Sequence, residues 1–200
     1  QGLLGKIESE VREVITDFSG SSEFFNKRVH EVFFDKTLKF TGSNPRASVD
    51  TSFEFFVSSR DWVAFDAIYG TSEEKAFVHT LDRQMAELKQ QYKSIYLLRN
   101  ESHFSIYDFS EGRPFQPDFV LFLQHKDGKL VSYQMFIEPK GVHLTEHDRW
   151  KEEFLLEIKE KFKDNILRFE GKSWRLTGVP FYTYEDENQF KAELKSSLGE

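Results

Sequence analysis

Two apolar runs, Phe119–Leu123 and Leu130–Ile137, stand on either side of one strong turn signal, Asp127-Gly128. This arrangement constrains the chain more than any other feature in it, because short apolar runs broken by Asp-Gly read as a β-hairpin. Simple counting then sets the register. Asp118 lies ten residues before Gly128 and Glu138 ten residues after it. Folding about Gly128 brings the two carboxylates roughly opposite each other, a few ångströms apart at Cα. The two-residue period of a strand puts Lys140 on the same face as Glu138. Two carboxylates beside an ammonium make poor core residues, since burying unpaired charge is costly, and a divalent cation relieves the repulsion. Hard oxygen donors suit Mg²⁺, which keeps several waters and bridges carboxylates to phosphates. Lys140 is then placed to orient a metal-bound water, or to lower its pKa, for in-line attack on phosphorus. The chemistry implied is phosphodiester hydrolysis.

The rest of the chain supplies a setting for that hairpin. Ile7, Val11, Val14, Ile15 and Phe18 fall at helical spacing, and a second helix is expected from about Glu23 to Phe40. Thr41-Gly42-Ser43-Asn44-Pro45 reads as a loop, and Val49–Ser59, rich in Phe and Val, as a strand. Thr71-Ser72-Glu73-Glu74 opens a helix running to about Tyr92, with Phe77, Leu81, Met85 and Leu88 on one stripe. Ile95–Leu98 and Phe104–Phe109 are further strand-like runs. An amphipathic helix is expected over Glu146–Lys163, then one or two strands in Trp174–Thr183, then a polar C-terminal helix. The order predicts an α/β fold, a mixed sheet flanked by helices. We expect an N-terminal helical lobe at 1–48 and the main domain at 49–200.

At 200 residues the chain can bury a sizeable core. The absence of cysteine excludes disulfides, thiolate-bound zinc, iron–sulfur clusters and a cysteine nucleophile. No run approaches the length of a membrane-spanning helix, and no secretory signal opens the chain, so a cytoplasmic setting is expected. The start at Gln1-Gly2, without Met, leads us to expect a processed product or a fragment of a longer protein. A net charge of −7 argues at first against a partner as acidic as DNA. The acidity is uneven, however. Residues 75–175 hold 17 Lys and Arg against 16 Asp and Glu, so the region around the hairpin is near neutral and the excess lies in the flanks.

Pro117-Asp118, a strand-length gap, and Glu138-Pro139-Lys140 resemble the PD-(D/E)xK signature of the restriction-endonuclease-like nucleases. The wider string, Phe65 to Phe77, Arg99-Asn100-Glu101, Pro117-Asp118-Phe119 and Glu138-Pro139-Lys140-Gly141, resembles the C-terminal endonuclease domain of the restriction subunit of type III restriction enzymes. The resemblance covers about Phe53 to Phe162. It implies a restriction-endonuclease-like mixed β-sheet flanked by helices and a Mg²⁺-dependent DNA endonuclease acting in phage defence, with Mn²⁺ able to substitute. Asp118 and Glu138 would bind the metal, the Pro139 carbonyl would complete its shell, and Lys140 would be the catalytic lysine. Glu74, with Glu73 as the fallback, matches the acidic residue that a preceding helix often adds. The implied partners are double-stranded DNA, a methyltransferase (Mod) subunit that reads sequence, and a helicase motor covalently linked in the parent chain. ATP would be used only by that motor, since this chain has no phosphate-binding glycine loop. Pro139 departs from an ordinary strand because it lacks an N–H, so the strand must end there, bulge or lie at an edge.

Each feature also has a plainer reading. Pro-Asp is a common strand-entry turn and Glu-x-Lys is common on surface strands, so the joint pattern carries the argument. Thr71-x-x-Glu74 is equally a capping box. Lys151, Arg99 and Arg113 could contact phosphate or simply be solvated. The 22 Phe residues suit a core better than base-stacking platforms. His143-Leu144-Thr145-Glu146-His147 spells the inverted zinc-peptidase motif, but it needs both imidazoles on one helix, and Gly141 and the helix start fall too close. Two alternatives to the type III assignment are a non-catalytic nuclease-fold module that docks a helicase or methyltransferase, and the nuclease of another helicase-linked repair or defence protein.

Overall fold

The structure is a computed structural model that describes residues 51–65, 70–126, 131–164, 166–169 and 172–198. The helices expected before residue 50, the Asp127-Gly128 turn itself and the 1–48 lobe lie outside the described residues.

The first described element, α1 (Thr51–Ser58), corrects an expectation, because this segment is a helix and not a strand. Phe53 and Val57 are buried one turn apart while Phe55 is 78% exposed, a helical stripe that the β-favouring composition conceals. Helix α2 (Ser72–Gln91) begins where Thr71 predicts and buries Phe77, Val78, Leu81, Met85 and Leu88. It runs directly into β1 (Tyr92–Arg99).

After β1 comes a small antiparallel pair, β2 (Ile106–Tyr107) and β3 (Pro114–Phe115), within residues 102–116, which group apart from the remainder of the described chain. Asp108 organises its loop: Oδ1 accepts from the Ser110 and Glu111 amides, and Oδ2 from the Arg113 amide and Nε. Gly112 takes a positive φ of 65° there, which a glycine adopts without strain. Arg113 is thereby held by Asp108 at 2.7 Å.

The main sheet continues with β4 (Phe119–His125) and β5 (Val131–Ile137). Beyond them come α3 (Val142–Thr145), α4 (Arg149–Phe162), β6 (Leu167–Phe169), β7 (Lys172–Gly178) and α5 (Glu187–Leu198). The five strands lie in the order β1-β4-β5-β7-β6; β5 and β7 are parallel and the other neighbours antiparallel. The fold is thus mixed α/β, a mixed sheet flanked by helices. The short strand β6 was not expected from the sequence. Outside β1, Trp62–Ala64 pair alongside it through Leu97 N–H to the Trp62 carbonyl, 2.8 Å, and Ala64 N–H to the Leu97 carbonyl, 3.0 Å.

Both faces of β4 are covered, since Phe119, Val120 and Leu121 are all buried. Odd-numbered Phe119, Leu121 and Leu123 join the core formed with α1, α2 and α5. Phe77 on α2 is its hub, with ring centroids 5.2 Å from Phe119, 5.6 Å from Tyr182 and 5.9 Å from Phe190. Helix α4 packs on β7 and buries Phe154, Leu155 and Ile158. Gly178 makes that packing possible, because a Cβ there would stand 2.3 Å from the Leu155 carbonyl oxygen.

Glu187 ties α5 to α2, accepting from Arg83 at 2.7 Å and from Lys191 one turn along its own helix. Burial opposes ionisation, but hydrogen bonds from Lys191 and Arg83 bring its carboxyl down to about 2. A depressed carboxyl stabilises the fold above its ordinary pKa and loses that contribution as pH falls through the folded value. Glu187→Gln is therefore expected to be less stable than wild type in denaturant titrations at pH 7, with the difference shrinking from about pH 4.5 down to about 2. A difference that stays constant across that range would sink this account.

Candidate acidic site at the end of the sheet

The hairpin register places two carboxylates at one end of the sheet. Phe119 pairs with Ile137 as the last rung of the β4–β5 ladder, so Asp118 and Glu138 come next, opposite each other, as counting from Gly128 predicts. The Asp118 amide donates to Glu138 Oε2 at 3.0 Å. The Asp118 carbonyl accepts from the Asn100 amide at 2.8 Å, which fixes this corner to the end of β1.

Strand β5 stops at Ile137, as Pro139 requires, and the chain continues as a single parallel bridge between Pro139 and Tyr182. That bridge is made by the Tyr182 amide to the Glu138 carbonyl, 3.1 Å, and the Lys140 amide to the Tyr182 carbonyl, 2.8 Å. The Pro139 carbonyl takes no part in it, so the oxygen named as a ligand in the sequence reading is not consumed by pairing. Lys140 Nζ reaches Glu138 Oε1 at 3.1 Å, which agrees with the two residues sharing a face.

Glu74 is the helix cap, and its second oxygen is held by an arginine. Its Oε1 accepts from the Thr71 amide at 3.4 Å while Thr71 Oγ1 accepts from the Glu74 amide at 3.3 Å, a complete capping box. Its Oε2 meets Arg99 at 2.8 Å, and Arg99 also holds Glu101 at 3.3 Å. Arg99 is thus tied up in carboxylates. Glu73, the fallback, sits beside Gly141, its Oε1 3.2 Å from where a Cβ would stand. Glu74→Ala is expected to cost about 2 kcal/mol in urea unfolding, through the lost cap and the stranded guanidinium. Glu74→Gln, which still accepts from Thr71, is expected to cost clearly less; equal losses would rule out the cap as the source.

Charge is unbalanced at this corner. Asp118 is pushed up to about 8, first by burial and then by the neighbouring charges of Glu138 and Glu74, against the opposing pull of Lys140 and Arg99. Burial also raises Glu138 above the ordinary carboxylate range, although Lys140 and the Asp118 amide work the other way. Lys140 goes above its ordinary value: burial opposes this, and hydrogen bonds to Asp148 and Glu138 outweigh it. Among the described residues no group of three or more His, Asp or Glu is arranged to hold an ion. Two carboxylates and a free carbonyl nevertheless fit Mg²⁺, which binds proteins through one or two carboxylates and completes its shell with water and phosphate. The strain on Asp118 is of the kind a cation relieves.

Asp148, which the sequence reading did not single out, belongs to the same site. Its Oδ2 lies 2.5 Å from Lys140 Nζ and 3.1 Å from Lys151 Nζ. Lys151 is therefore paired, not a free phosphate contact. The zinc-peptidase geometry is absent, since α3 ends at Thr145 and α4 begins at Arg149, so His143 and His147 do not share a helix.

These features define an α/β domain with an acidic, lysine-bearing site where a central hairpin meets the sheet end. The chain belongs to the family HI_1054_C, described as a C-terminal domain, which matches residues 17–198. It is 34% identical over 194 residues to an uncharacterised protein of Haemophilus influenzae, covering 93% of this chain and 41% of that protein. The chain thus spans about two fifths of that relative's length. No solved structure matches.

Proposed function

We propose that this chain is a Mg²⁺-dependent endonuclease domain of restriction-endonuclease-like fold that hydrolyses DNA phosphodiester bonds. The observation that supports it most is the placement of Asp118 and Glu138 across the β4–β5 pair with Lys140 hydrogen-bonded to Glu138. Asp118, Glu138 and the Pro139 carbonyl would hold the ion, Mn²⁺ serving in its place. Magnesium, when bound, supplies Lewis acidity and an acidified water. The chain's own residues do the rest. Lys140 presents an ammonium to the scissile phosphate and steadies the attacking water. Glu74 and Arg99 set the charge behind Asp118, and Glu138 holds both the Asp118 amide and Lys140 in register.

The larger setting follows from the resemblance: the nuclease part of an ATP-dependent type III restriction enzyme, cytoplasmic, joined to a helicase motor and working with a methyltransferase subunit on double-stranded DNA. No helix among the described residues is long and apolar enough to cross a membrane.

The test is nicking of supercoiled plasmid with Mg²⁺ or Mn²⁺ by wild type, Asp118→Ala and Lys140→Ala. Cleavage by wild type and its loss in both variants is expected. Equal cleavage by wild type and Asp118→Ala excludes this site. Inactivity of all three, in the chain and in its full-length parent, favours a docking module instead.

A further inference from the structure

Asp148 stands just before the first turn of α4, where an aspartate ordinarily accepts a hydrogen bond from the helix's own amides. Its side chain makes no such bond. Oδ2 instead takes Lys140 and Lys151, and Oδ1 meets His147 Nδ1 at 3.2 Å. Asp148 and Lys140 are both largely buried, at 14% and 13% side-chain exposure. Forgoing the cap destabilises a helix, so the carboxylate's orientation calls for an interaction that offsets the loss. A buried, charge-assisted bond to an ammonium supplies it.

The consequence lies in where Lys140 can go. A lysine side chain has four rotatable bonds and carries substantial rotamer entropy. Here the backbone is pinned by the Tyr182 carbonyl, and Nζ is held by Glu138 on one element and Asp148 on another. The ring of Phe181 lies 5.8 Å from Nζ, and the Phe181 amide is itself anchored to Glu152 on α4 at 2.9 Å. Two of the three ammonium protons have protein acceptors, which leaves one for a third acceptor.

We infer that Asp148 is a positioning residue for Lys140, fixing the ammonium between the residue that follows β5 and the residue that precedes α4, so that its remaining proton is presented at the Asp118–Glu138 corner. The clamp is a property of the metal-free chain; its effect on cleavage rests on the nuclease reading above. Asp148 therefore acts through Lys140, and Lys151 and His147 hold Asp148 in turn.

The experiment uses the whole chain labelled uniformly with ¹³C and ¹⁵N, without metal, followed by plasmid cleavage with Mg²⁺. In wild type the Lys140 ammonium is expected to give a slowly exchanging signal with a coupling across the hydrogen bond to the Asp148 carboxyl carbon. Asp148→Ala should lose that signal and Asp148→Glu should retain it. In cleavage, Asp148→Ala should lower kcat by roughly tenfold to a hundredfold, the usual range for a residue that orients a ligand or catalytic group, with KM little changed and partial recovery in Asp148→Glu. A Lys140 signal unchanged in Asp148→Ala overturns the inference. If Asp148→Ala does not fold, the wild-type coupling decides: its presence supports the clamp and its absence removes it. If wild type shows the coupling but cleaves no DNA, the nuclease reading fails while the clamp stands.

Discussion

Asp118→Asn is expected to abolish plasmid cleavage, by about 10³-fold or more, and at the same time to raise the melting temperature of the metal-free protein at pH 8. Both effects come from one carboxylate held where it is not comfortable. Burial and the charges of Glu138 and Glu74 lift Asp118 from its ordinary 3.8 to about 8. A carboxyl raised on folding makes the folded state bind more protons than the unfolded one between those two values. Stability contributed by this group therefore falls as pH climbs through that window. Asparagine has the same shape without the charge, and it removes the slope.

The gain should be modest because Asp118 is only half-buried and the charges of Lys140 and Arg99 already offset part of its ionisation penalty. About 1 kcal/mol, or roughly 2–4 °C for a chain of this size, is the expected scale at pH 8, vanishing toward pH 4. Added Mg²⁺ should stabilise wild type by mass action and leave Asp118→Asn nearly unmoved. The comparison separates two kinds of failure. An Asp118→Asn protein that cuts as well as wild type discards the active site, whereas one that is inactive but melts lower discards the charge argument alone.

Gly178→Ala is expected to have the largest effect on stability of any single methyl added to the described fold, about 3 kcal/mol or more in urea unfolding. The added carbon would lie 2.3 Å from the Leu155 carbonyl oxygen and 2.8 Å from the Leu155 Cα and carbonyl carbon. These are backbone atoms of a helix, so no side-chain rotation relieves the clash. Either α4 lifts from β7 or the strand bends, and each unseats Phe154, Leu155 and Ile158. Cleavage should fall with stability even in the folded fraction, since Asp148 rides at the head of α4. A Gly178→Ala protein within about a degree of wild type would mean that the helix slides without cost, contrary to close packing.

The hairpin was legible because its information is local and symmetric. A turn dipeptide and two apolar arms set the Phe119–Ile137 rung without reference to the rest of the chain. The start of α2 was legible for the same reason, its cap being written within four residues. Val49–Ser59 was misread because Phe and Val favour strands, and the signal that decides against this, burial of Phe53 and Val57 with Phe55 exposed, is a one-turn spacing spread over only five residues. The strand β6 is three residues long and leaves almost no periodicity to read. Asp148 was missed for a different reason. At the start of an amphipathic helix an aspartate looks like a cap, and only the three-dimensional approach of Lys140 shows its carboxylate used elsewhere. The Glu74 cap was readable within four residues, whereas its ion pair with Arg99, 25 residues away, was not.

The pairing of Trp62–Ala64 along β1 bears on how copies of this protein meet. An exposed sheet border is a template on which a second chain can add a strand and begin to aggregate. On one border, at the Leu97 end of β1, the chain's own preceding segment already occupies that template. On the other, β6 offers only three residues. The covered end of β1 and the short β6 are poor seeds for edge-to-edge growth, which suits a near-neutral central region that has little net charge to keep copies apart.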